Sequence, residues 1–307
     1  MAGSDHIKLN NIALPMNSRL EKIKFWTDSW NCALKKNADH NLPVGTDAVR
    51  RWDIMAKQLD RLSESDRIKS RINRTVTMLV ENNIDLKGLK ILDIGAGAGD
   101  LTLAFALRGA RVTAIEPSPA MAGLIEKKIK EHDLSEVKII SELWEDIAPG
   151  KHFSANCYDL VLASLNPGVR SIEAVTKMID SSRSWCLLCD IAAGSKPSSG
   201  RQKMWQELFK ERMPENYYDV GYPLNYLYCS GYDLQFQDWS EVWGEKQPVE
   251  EALIDFLNYF SIYTEITDEI RETIEVFLNN NSKQGSYTDF HPVKLGMILW
   301  KKSSRAG

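Results

Sequence analysis

A chain of 307 residues with 43% hydrophobic residues is long enough for one large domain with additions, or for two domains. Its net charge of −4 gives no electrostatic reason to expect a nucleic acid or an anionic membrane as partner. No apolar run approaches the roughly 20 residues of a membrane span, and the N-terminus lacks the apolar core of a signal peptide. We therefore expect a cytoplasmic protein without membrane contact.

The first part of the chain is predicted to be helical. Apolar residues recur at three- and four-residue spacings over 18–37, 46–62 and 65–83, which indicates three amphipathic helices. Ser65 stands where an N-cap of the third helix is expected. We predict that residues 1–64 form an N-terminal helical cap, or lid, on a main domain of residues 65–302.

From residue 89 the hydrophobic period changes, and short apolar runs alternate with helical stretches. Alternating strands and helices of this length argue for a parallel sheet covered on both faces. The predicted strands are 89–94, 111–116, 137–141, 158–164 and 185–191, and the predicted helices are 100–109, 118–132 and about 169–182.

The C-terminal part departs from this alternation. We predict helices at 199–213, 223–231, 248–260 and 268–280, and strands at 232–239 and 293–302. The segments 199–231 and 244–290 are interpreted as helical additions on the substrate side. The last strand is predicted to be an edge element of the sheet, and residues 303–307 a tail.

The five cysteines do not suggest a disulfide framework in a chain of this length. Cys186 and Cys189 have CxxC spacing but lie within a predicted strand, where positions i and i+3 point to opposite faces. We predict no metal site.

The glycine-rich segment 95–99 follows the first strand of the sheet and precedes a helix. A phosphate loop would need Lys and then Ser or Thr after its last glycine, whereas Asp100 follows here and would repel a polyphosphate. The dinucleotide fingerprint would need a glycine at position 100, and Gly99 comes one residue early, which leaves NAD or FAD as the weaker alternative. S-adenosylmethionine has no phosphate. Its cationic amino-acid end suits Asp93 and the bare glycine backbone, and its ribose hydroxyls suit Glu116.

Three segments carry a resemblance to a known family. LDIGAGAGDLTLAFALRGARVTAIEPSPAM, which begins at residue 92, resembles the first two motifs of class I S-adenosylmethionine-dependent methyltransferases. RRWDIMAKQLDRL resembles the cap helix that often precedes that fold, and YDLVLASLNPGV resembles its fourth-strand motif. The likeness covers residues 46–302. It implies an α/β fold with a Rossmann-like, mostly parallel sheet of seven strands in the order 3-2-1-4-5-7-6, with helices on both faces. Strand 7 is antiparallel, and the resemblance assigns it to VKLGMILWKK at 293–302.

The resemblance also implies a donor pocket and S-adenosyl-L-homocysteine as product. In the family, an Asp after the third strand often takes the adenine amino group, but Leu143 stands at that position here. Trp144 is expected to contact the adenine, with simple packing as the open alternative, and Glu145 or Asp146 could replace the acceptor. The implied donor-binding residues are Asp93, Gly95, Ala96, Gly97, Gly99, Glu116, Pro117, Leu143, Trp144 and Ser164.

The end of the fourth strand faces the reactive methyl group in this fold, so Ser164 and Asn166 are the first candidates for the transfer site. Asn166-Pro167 matches half of the Asn/Asp-Pro-Pro-aromatic motif of methyltransferases that act on bases or protein glutamine, but the aromatic ring is missing. This departure argues against a nucleic-acid substrate. His291 is the histidine that we predict as a catalytic base.

Aromatic residues suggest a small-molecule acceptor. The segment 217–232 holds six of the ten tyrosines, and Trp26, Trp30 and Trp52 lie in the predicted cap. The leading hypothesis is methyl transfer to a small molecule. Two alternatives remain open: a donor-binding regulatory protein without transfer activity, and a protein or RNA methyltransferase. The sequence does not fix the oligomeric state.

Overall fold

A computed structural model describes residues 18–39, 46–63, 65–148 and 150–302. The helices are α1 (Arg19–Asp39), α2 (Thr46–Leu62), α3 (Asp66–Glu81), α4 (Asp100–Ala106), α5 (Pro119–Glu131), α6 (Ile172–Ser181), α7 (Ser199–Phe209), α8 (Gly221–Cys229), α9 (Val249–Phe260) and α10 (Asp268–Asn280). The strands are β1 (Lys90–Ile94), β2 (Arg111–Ile115), β3 (Val137–Ile140), β4 (Tyr158–Ser164), β5 (Ser182–Ile191), β6 (Leu234–Trp243), β7 (Lys246–Pro248), β8 (Ser286–Thr288) and β9 (His291–Lys301). A 3-10 turn lies at Pro167–Val169.

The main sheet has seven strands in the order β3-β2-β1-β4-β5-β9-β6. The strands from β3 to β5 are mutually parallel, whereas β9 runs antiparallel to both of its neighbours. The C-terminal ends of β1, β2 and β4 therefore lie on the same edge of the sheet as the start of β9. This confirms the predicted fold, an α/β sheet of the Rossmann-like type with one antiparallel strand.

The side chains of the central strands alternate between two cores. Leu92, Val161 and Cys186 point to the face covered by α1, α6 and α8, whereas Leu162 and Cys189 point to the face covered by α3 and α4. The two cysteines of the CxxC pair thus lie on opposite faces, as the strand period predicts. Burial on both faces explains why these strands are apolar throughout.

A third apolar core lies outside the sheet. It joins α7, α9 and α10 through buried side chains that include Met204, Phe256, Phe260 and Leu278. The short strands β7 and β8, which sequence analysis missed, pair with each other beside this core. Gln58 and Arg61 of α2 connect to it, since they bond Asp255 at 2.9 Å and Glu251 at 2.8 Å, respectively.

One strand position was predicted wrongly. The final strand is not an edge element, because β9 lies between β5 and β6 and most of its residues are buried. The edge strand at this end of the sheet is β6, most of whose residues are exposed or half-buried. Ser65 caps α3 as predicted and accepts a hydrogen bond from the N–H of Ile68. Residues 1–17 of the predicted cap and the predicted tail, 303–307, lie outside the described residues. No helix in the described ranges is long and apolar enough to cross a membrane.

Candidate functional site

The glycine loop joins β1 to α4 at the C-terminal edge of the sheet. Gly97 has a φ of +58°, and a Cβ built on it would meet no atom within 4 Å. At Gly95, in contrast, a Cβ would lie 2.4 Å from Nδ2 of Asn166, and at Gly99 it would lie 2.8 Å from Cγ1 of Ile125. Two of the three glycines thus permit close packing, and Gly97 leaves a bare backbone surface.

Glu116 lies beside this surface, one residue beyond β2. Its Oε2 accepts a hydrogen bond from the N–H of Gly97 at 2.7 Å, and its Oε1 accepts one from the N–H of Ser118 at 2.9 Å. Burial raises the pKa of Glu116, while these two N–H groups lower it. A carboxylate can accept about four hydrogen bonds, so the group keeps capacity for two further hydroxyl donors.

Asp93 is a buried acid of β1, just before the glycine loop. Its side chain points to the same face as α4, where its Oδ2 accepts a hydrogen bond from the hydroxyl of Thr102 at 2.7 Å. The pKa of Asp93 is raised to about 6, mainly by burial and in part by the carboxylates of Glu116 and Asp100, against the lowering effect of the hydrogen bond from Thr102. A cation bound here would stabilise the ionised form.

Backbone hydrogen bonds hold the other predicted donor-binding residues of the loop in place. The N–H groups of Gly95 and Ala96 both donate to the carbonyl oxygen of Ile115, which fixes the loop against the end of β2. Pro117 is half-buried and connects Glu116 to Ser118, the N-cap of α5.

Two residues that sequence analysis missed hold neighbouring elements against the loop. Lys128 of α5 donates to the carbonyl oxygen of Ala98 and to Oδ1 of Asp100, both at 2.7 Å. Asp53 of α2 accepts hydrogen bonds from the hydroxyl of Ser118 at 2.5 Å and from the N–H of Ala120 at 3.0 Å. Nothing in the sequence signals these contacts, because their partners lie 28 to 67 residues apart along the chain.

Helix α2 therefore covers the loop from outside the sheet. Ala56 packs against Ala98 and Met121, and Trp52 lies in the same small cluster. Because α2 also bonds the core of α7, α9 and α10, it connects the glycine loop to the C-terminal additions.

The segment after β3 is less open than the prediction implies. Trp144 is 2% exposed, its indole N–H donates to the carbonyl oxygen of Ala174 at 3.3 Å, and Lys177 lies 4.3 Å over its ring. This burial does not favour stacking on a ligand, and packing is the better account of Trp144. Leu143 is half-buried. Their roles in adenine binding remain predictions.

The segment after β4 places Asn166 over the glycine loop. Its Nδ2 donates to the carbonyl oxygen of Ile94 at 3.0 Å, and its Oδ1 accepts from the N–H of Gly168 at 2.9 Å. Ser164 ends β4, and its buried Oγ has no hydrogen-bond partner. These contacts bring Asn166 to the donor loop, but they commit its amide to the backbone.

His291 begins β9, which extends beyond its last pair with β5, Ile191 with Leu295, and pairs there with β6 alone. The register therefore does not bring His291 level with Ser164, which aligns with Met297 through Cys189. Burial lowers the pKa of His291, and the positive charges of Arg201 and Arg67 lower it as well, against the opposing effect of Asp289. Its Nδ1 is buried without a partner. A neutral imidazole at neutral pH is the form that a general base requires.

The aromatic residues of the predicted acceptor pocket divide into two groups. Trp26, Trp30, Tyr218 and Tyr222 pack α1 against α8, and Tyr218 is fully buried. Trp52 lies beside the glycine loop instead. Most of the predicted aromatic lining therefore stabilises the packing of α1 and α8.

Comparisons with known proteins match the part of the chain that contains the glycine loop. Residues 91–185 match the family model described as a methyltransferase domain. Ribosomal RNA small subunit methyltransferase A of Mycobacterium bovis (strain BCG / Pasteur 1173P2) is 32% identical over 107 residues, which are 34% of this chain and 32% of that protein. The chain thus matches about a third of the length of this relative.

Among solved structures, the [4+2]-cyclase SpnF superposes with a TM-score of 0.50 and 14% identity, over 85% of this chain and 98% of that chain. Magnesium protoporphyrin IX methyltransferase from Synechocystis PCC 6803, solved with bound SAH, gives a TM-score of 0.43 and 14% identity, over 90% of this chain and 99% of that chain. At 14% identity the likeness to SpnF shows the fold alone.

The matched segment contains the glycine loop, Glu116 and Asn166, which are the residues that the structure brings together. The strand order of the sheet is the one expected from the resemblance. Residues 91–185 thus match the model of a methyltransferase domain, and they lie in a sheet with the strand order of the Rossmann-like fold.

Proposed function

We propose that the chain is a methyltransferase that binds S-adenosylmethionine at the glycine loop and transfers its methyl group to a small-molecule acceptor. The observation that carries the proposal is the pairing of Gly97 with Glu116: a bare backbone surface lies next to a fixed carboxylate with unused acceptor capacity. Glu116 binds the ribose hydroxyls, and Asp93 balances the charge of the amino-acid end.

The start of α4 supports a donor without phosphate. In dinucleotide-binding proteins the pyrophosphate lies at the N-terminus of this helix. Here that position belongs to Asp100, whose carboxylate is paired with Lys128 at 2.7 Å. NAD and FAD fit this arrangement poorly, whereas the sulfonium donor fits it.

The chain's contribution to transfer is mainly orientation. S-adenosylmethionine supplies a methyl group already activated on a sulfonium. Holding donor and acceptor in line can contribute roughly 7–11 kcal/mol in favourable cases. Asn166 positions the segment after β4 against the loop, and Ser164 lines the transfer site. His291 takes a proton if the acceptor arrives protonated.

An RNA substrate is the second candidate, because curated relatives that match part of the chain are named as ribosomal RNA methyltransferases. Against it stand the net charge of −4 and the replacement of the stacking aromatic by Val169, which is fully buried. The cyclase SpnF has the same fold, so a role without methyl transfer is the third candidate.

The test measures both donor binding and methyl transfer. The purified chain is titrated calorimetrically with S-adenosylmethionine, S-adenosylhomocysteine and NAD, and then incubated with methyl-labelled donor and either a small-molecule extract or ribosomal RNA. We expect micromolar binding of the first two ligands, none of NAD, and label in the small-molecule fraction. Glu116→Ala should lose both signals, whereas Glu126→Ala, an exposed position on α5, should keep them.

Each other outcome selects a different conclusion. Label in RNA alone would establish the second candidate, and donor binding without any labelled product would favour a regulatory protein. Binding of NAD, or of none of the three ligands, would overturn the proposed function.

A further inference from the structure

Strand β6 forms one edge of the main sheet. Its ten residues pair with β9 in an unbroken register, and no strand of the described chain pairs with its other side. Proteins commonly protect such edges with short strands, lysine, proline or a bulge. The opposite edge, β3, follows this rule, since it has four residues and includes Lys138. The sequence of β6, LQFQDWSEVW, contains neither lysine nor proline, so its edge is open to pairing.

The contacts of β9 show which backbone groups of β6 face outward. The N–H of Lys301 donates to the carbonyl oxygen of Asp233 at 3.3 Å, so the odd-numbered positions of β6 face β9. The carbonyl oxygen of Lys294 instead accepts a hydrogen bond from the residue after β5, so the next position, Leu295, faces β6, in agreement with this alternation. The even-numbered positions of 234–242 therefore direct their N–H and C=O groups to the free edge. Within the described ranges, these groups have no backbone hydrogen-bond partner.

Two exposed apolar side chains lie symmetrically on this strand. Phe236 is 41% exposed and Val242 is 64% exposed, and both point to the sheet face opposite to that of the buried Trp239. Each of them lies three residues from Trp239 along the chain. With a two-fold axis through Trp239, antiparallel pairing puts Phe236 of one copy opposite Val242 of the other, and the symmetry repeats this contact. Both side chains are then removed from water, which is favourable.

The charged residues of β6 are compatible with this axis. Asp238 forms an ion pair with Lys294 of β9, and Glu241 accepts hydrogen bonds from two indole N–H groups of its own strand. Across the axis, Asp238 lies opposite Ser240 of the other copy, and Glu241 lies opposite Gln237. No two carboxylates therefore face each other, and each acid already has a partner within its own chain.

Other positions of the axis fit less well. An axis through Asp238 would put this residue opposite its own copy, and like charges directly opposite each other destabilise a sheet. An axis midway between two residues would pair outward-facing positions with inward-facing ones, which cannot form a hydrogen-bonded ladder. Any axis other than the one through Trp239 also separates Phe236 from Val242. The backbone alternation, the charges and the apolar side chains thus select the same register.

We propose that β6 is an interface between two copies of the chain, which pair antiparallel about a two-fold axis at Trp239 and join their seven-stranded sheets into one. Positions 236, 238, 240 and 242 of one copy then exchange backbone hydrogen bonds with positions 242, 240, 238 and 236 of the other. Such an interface is self-complementary, as a two-fold axis requires. It lies four strands from β1, or about 19 Å, so it leaves the glycine loop open, and the inference does not rest on the proposed function.

The groove beside β6 supplies further contact area. A strand edge alone is small compared with the roughly 1,200–2,000 Å² that stable interfaces bury. The groove between α3 and β6 has a volume of about 680 Å³ and is lined on the β6 side by Gln235, Phe236 and Gln237. In the proposed register, Trp243 and Glu241 of the second copy lie opposite Gln235 and Gln237, respectively. We expect their side chains to enter the groove and to add contacts with α3.

The test measures the oligomeric state of the purified full chain by sedimentation equilibrium at micromolar concentrations. We expect a dimer for the wild type. Ser240→Pro removes an outward N–H in both copies and should raise the dimer Kd by about tenfold or more. Proline is tolerated on edge strands where the N–H faces solvent, so the fold should survive. Ser240→Ala is the matched control, because it keeps the N–H, and it should dimerise like the wild type.

A pair of opposite charges tests the register. Phe236→Lys and Val242→Glu should each weaken the dimer, whereas the two substitutions together should restore it, because opposite charges then face each other twice across the axis. A monomeric wild type, a Ser240→Pro variant that dimerises like the wild type, or a combined variant that dimerises no better than the single ones would overturn the inference. Circular dichroism of each variant checks that the sheet is intact, and S-adenosylmethionine affinity, which tests the proposed function, should be the same in all of them.

Discussion

The backbone N–H of Gly97 donates a hydrogen bond of 2.7 Å to Oε2 of Glu116, and this contact links the glycine loop to the end of β2. The other oxygen accepts from Ser118 at 2.9 Å, so the carboxylate is fixed before any ligand arrives. Fixing a polar group in its bound orientation lowers the entropy cost of binding. The loop and the acid act as one preorganised site.

Replacement of Glu116 should weaken donor binding strongly. Hydrogen bonds to a charged group are worth about 1.5–3 kcal/mol each, so Glu116→Ala should raise the Kd for S-adenosylmethionine by at least about tenfold. Glu116→Gln should not restore binding, because its NH2 group would face the N–H of Gly97 or of Ser118. Calorimetry of both variants checks this, and wild-type affinity in Glu116→Gln would contradict the assignment.

Two glycines of the loop should respond differently to alanine. Gly97→Ala introduces a Cβ at a φ of +58° into open space, so it should cost about 1–2 kcal/mol of stability and block the donor. Gly99→Ala adds a Cβ 2.8 Å from Ile125, and overpacking should cost about 1–3 kcal/mol beyond the similar backbone strain. Urea unfolding and donor titration of both variants separate the effects. A Gly97→Ala variant that binds the donor normally would show that the open face is not the site.

The features that depend on hydrophobic periodicity and on motif spacing could be predicted from the sequence. The parallel strands, the glycine loop, Glu116 and the cap at Ser65 all follow from residues that are close along the chain. The resemblance gave the correct strand order, whereas the pattern along the chain wrongly made β9 an edge strand, since nothing local tells an inner strand from an edge strand. Lys128 was missed for the same reason: its partners Ala98 and Asp100 lie about 30 residues away and meet it only in the fold.

Asp93 should reduce stability in the absence of a ligand. Its pKa is raised to about 6 in the folded state from 3.8, so the folded state holds more protons between these two values. The resulting loss of stability is absent below about pH 4, grows as the pH rises through this window, and reaches at most about 3 kcal/mol at pH 7. Asp93→Asn should therefore raise the melting temperature at pH 7 but not at pH 4.

The same carboxylate should make donor binding depend on pH. A bound ammonium group favours the ionised form, so the wild-type affinity for S-adenosylmethionine should fall as the pH drops below about 6. Asp93→Asn should bind weakly at every pH and lose this dependence. A variant with the wild-type profile would remove Asp93 from the donor site.

Lys128 should be the cation that holds the loop in place. Its side chain is 13% exposed, and Lys128→Met would leave both the carboxylate of Asp100 and the carbonyl of Ala98 without their donor. Losing a charged partner in such a setting costs about 1–3 kcal/mol, and donor affinity should fall because the loop is less ordered. Lys127→Met is the matched control: its side chain is 60% exposed and its contact with Glu131 is long, at 3.9 Å, so it should change stability by less than about 0.5 kcal/mol. Thermal unfolding with and without the donor compares the two, and equal behaviour of the neighbouring lysines would show that the contact of Lys128 with the loop does not matter for binding.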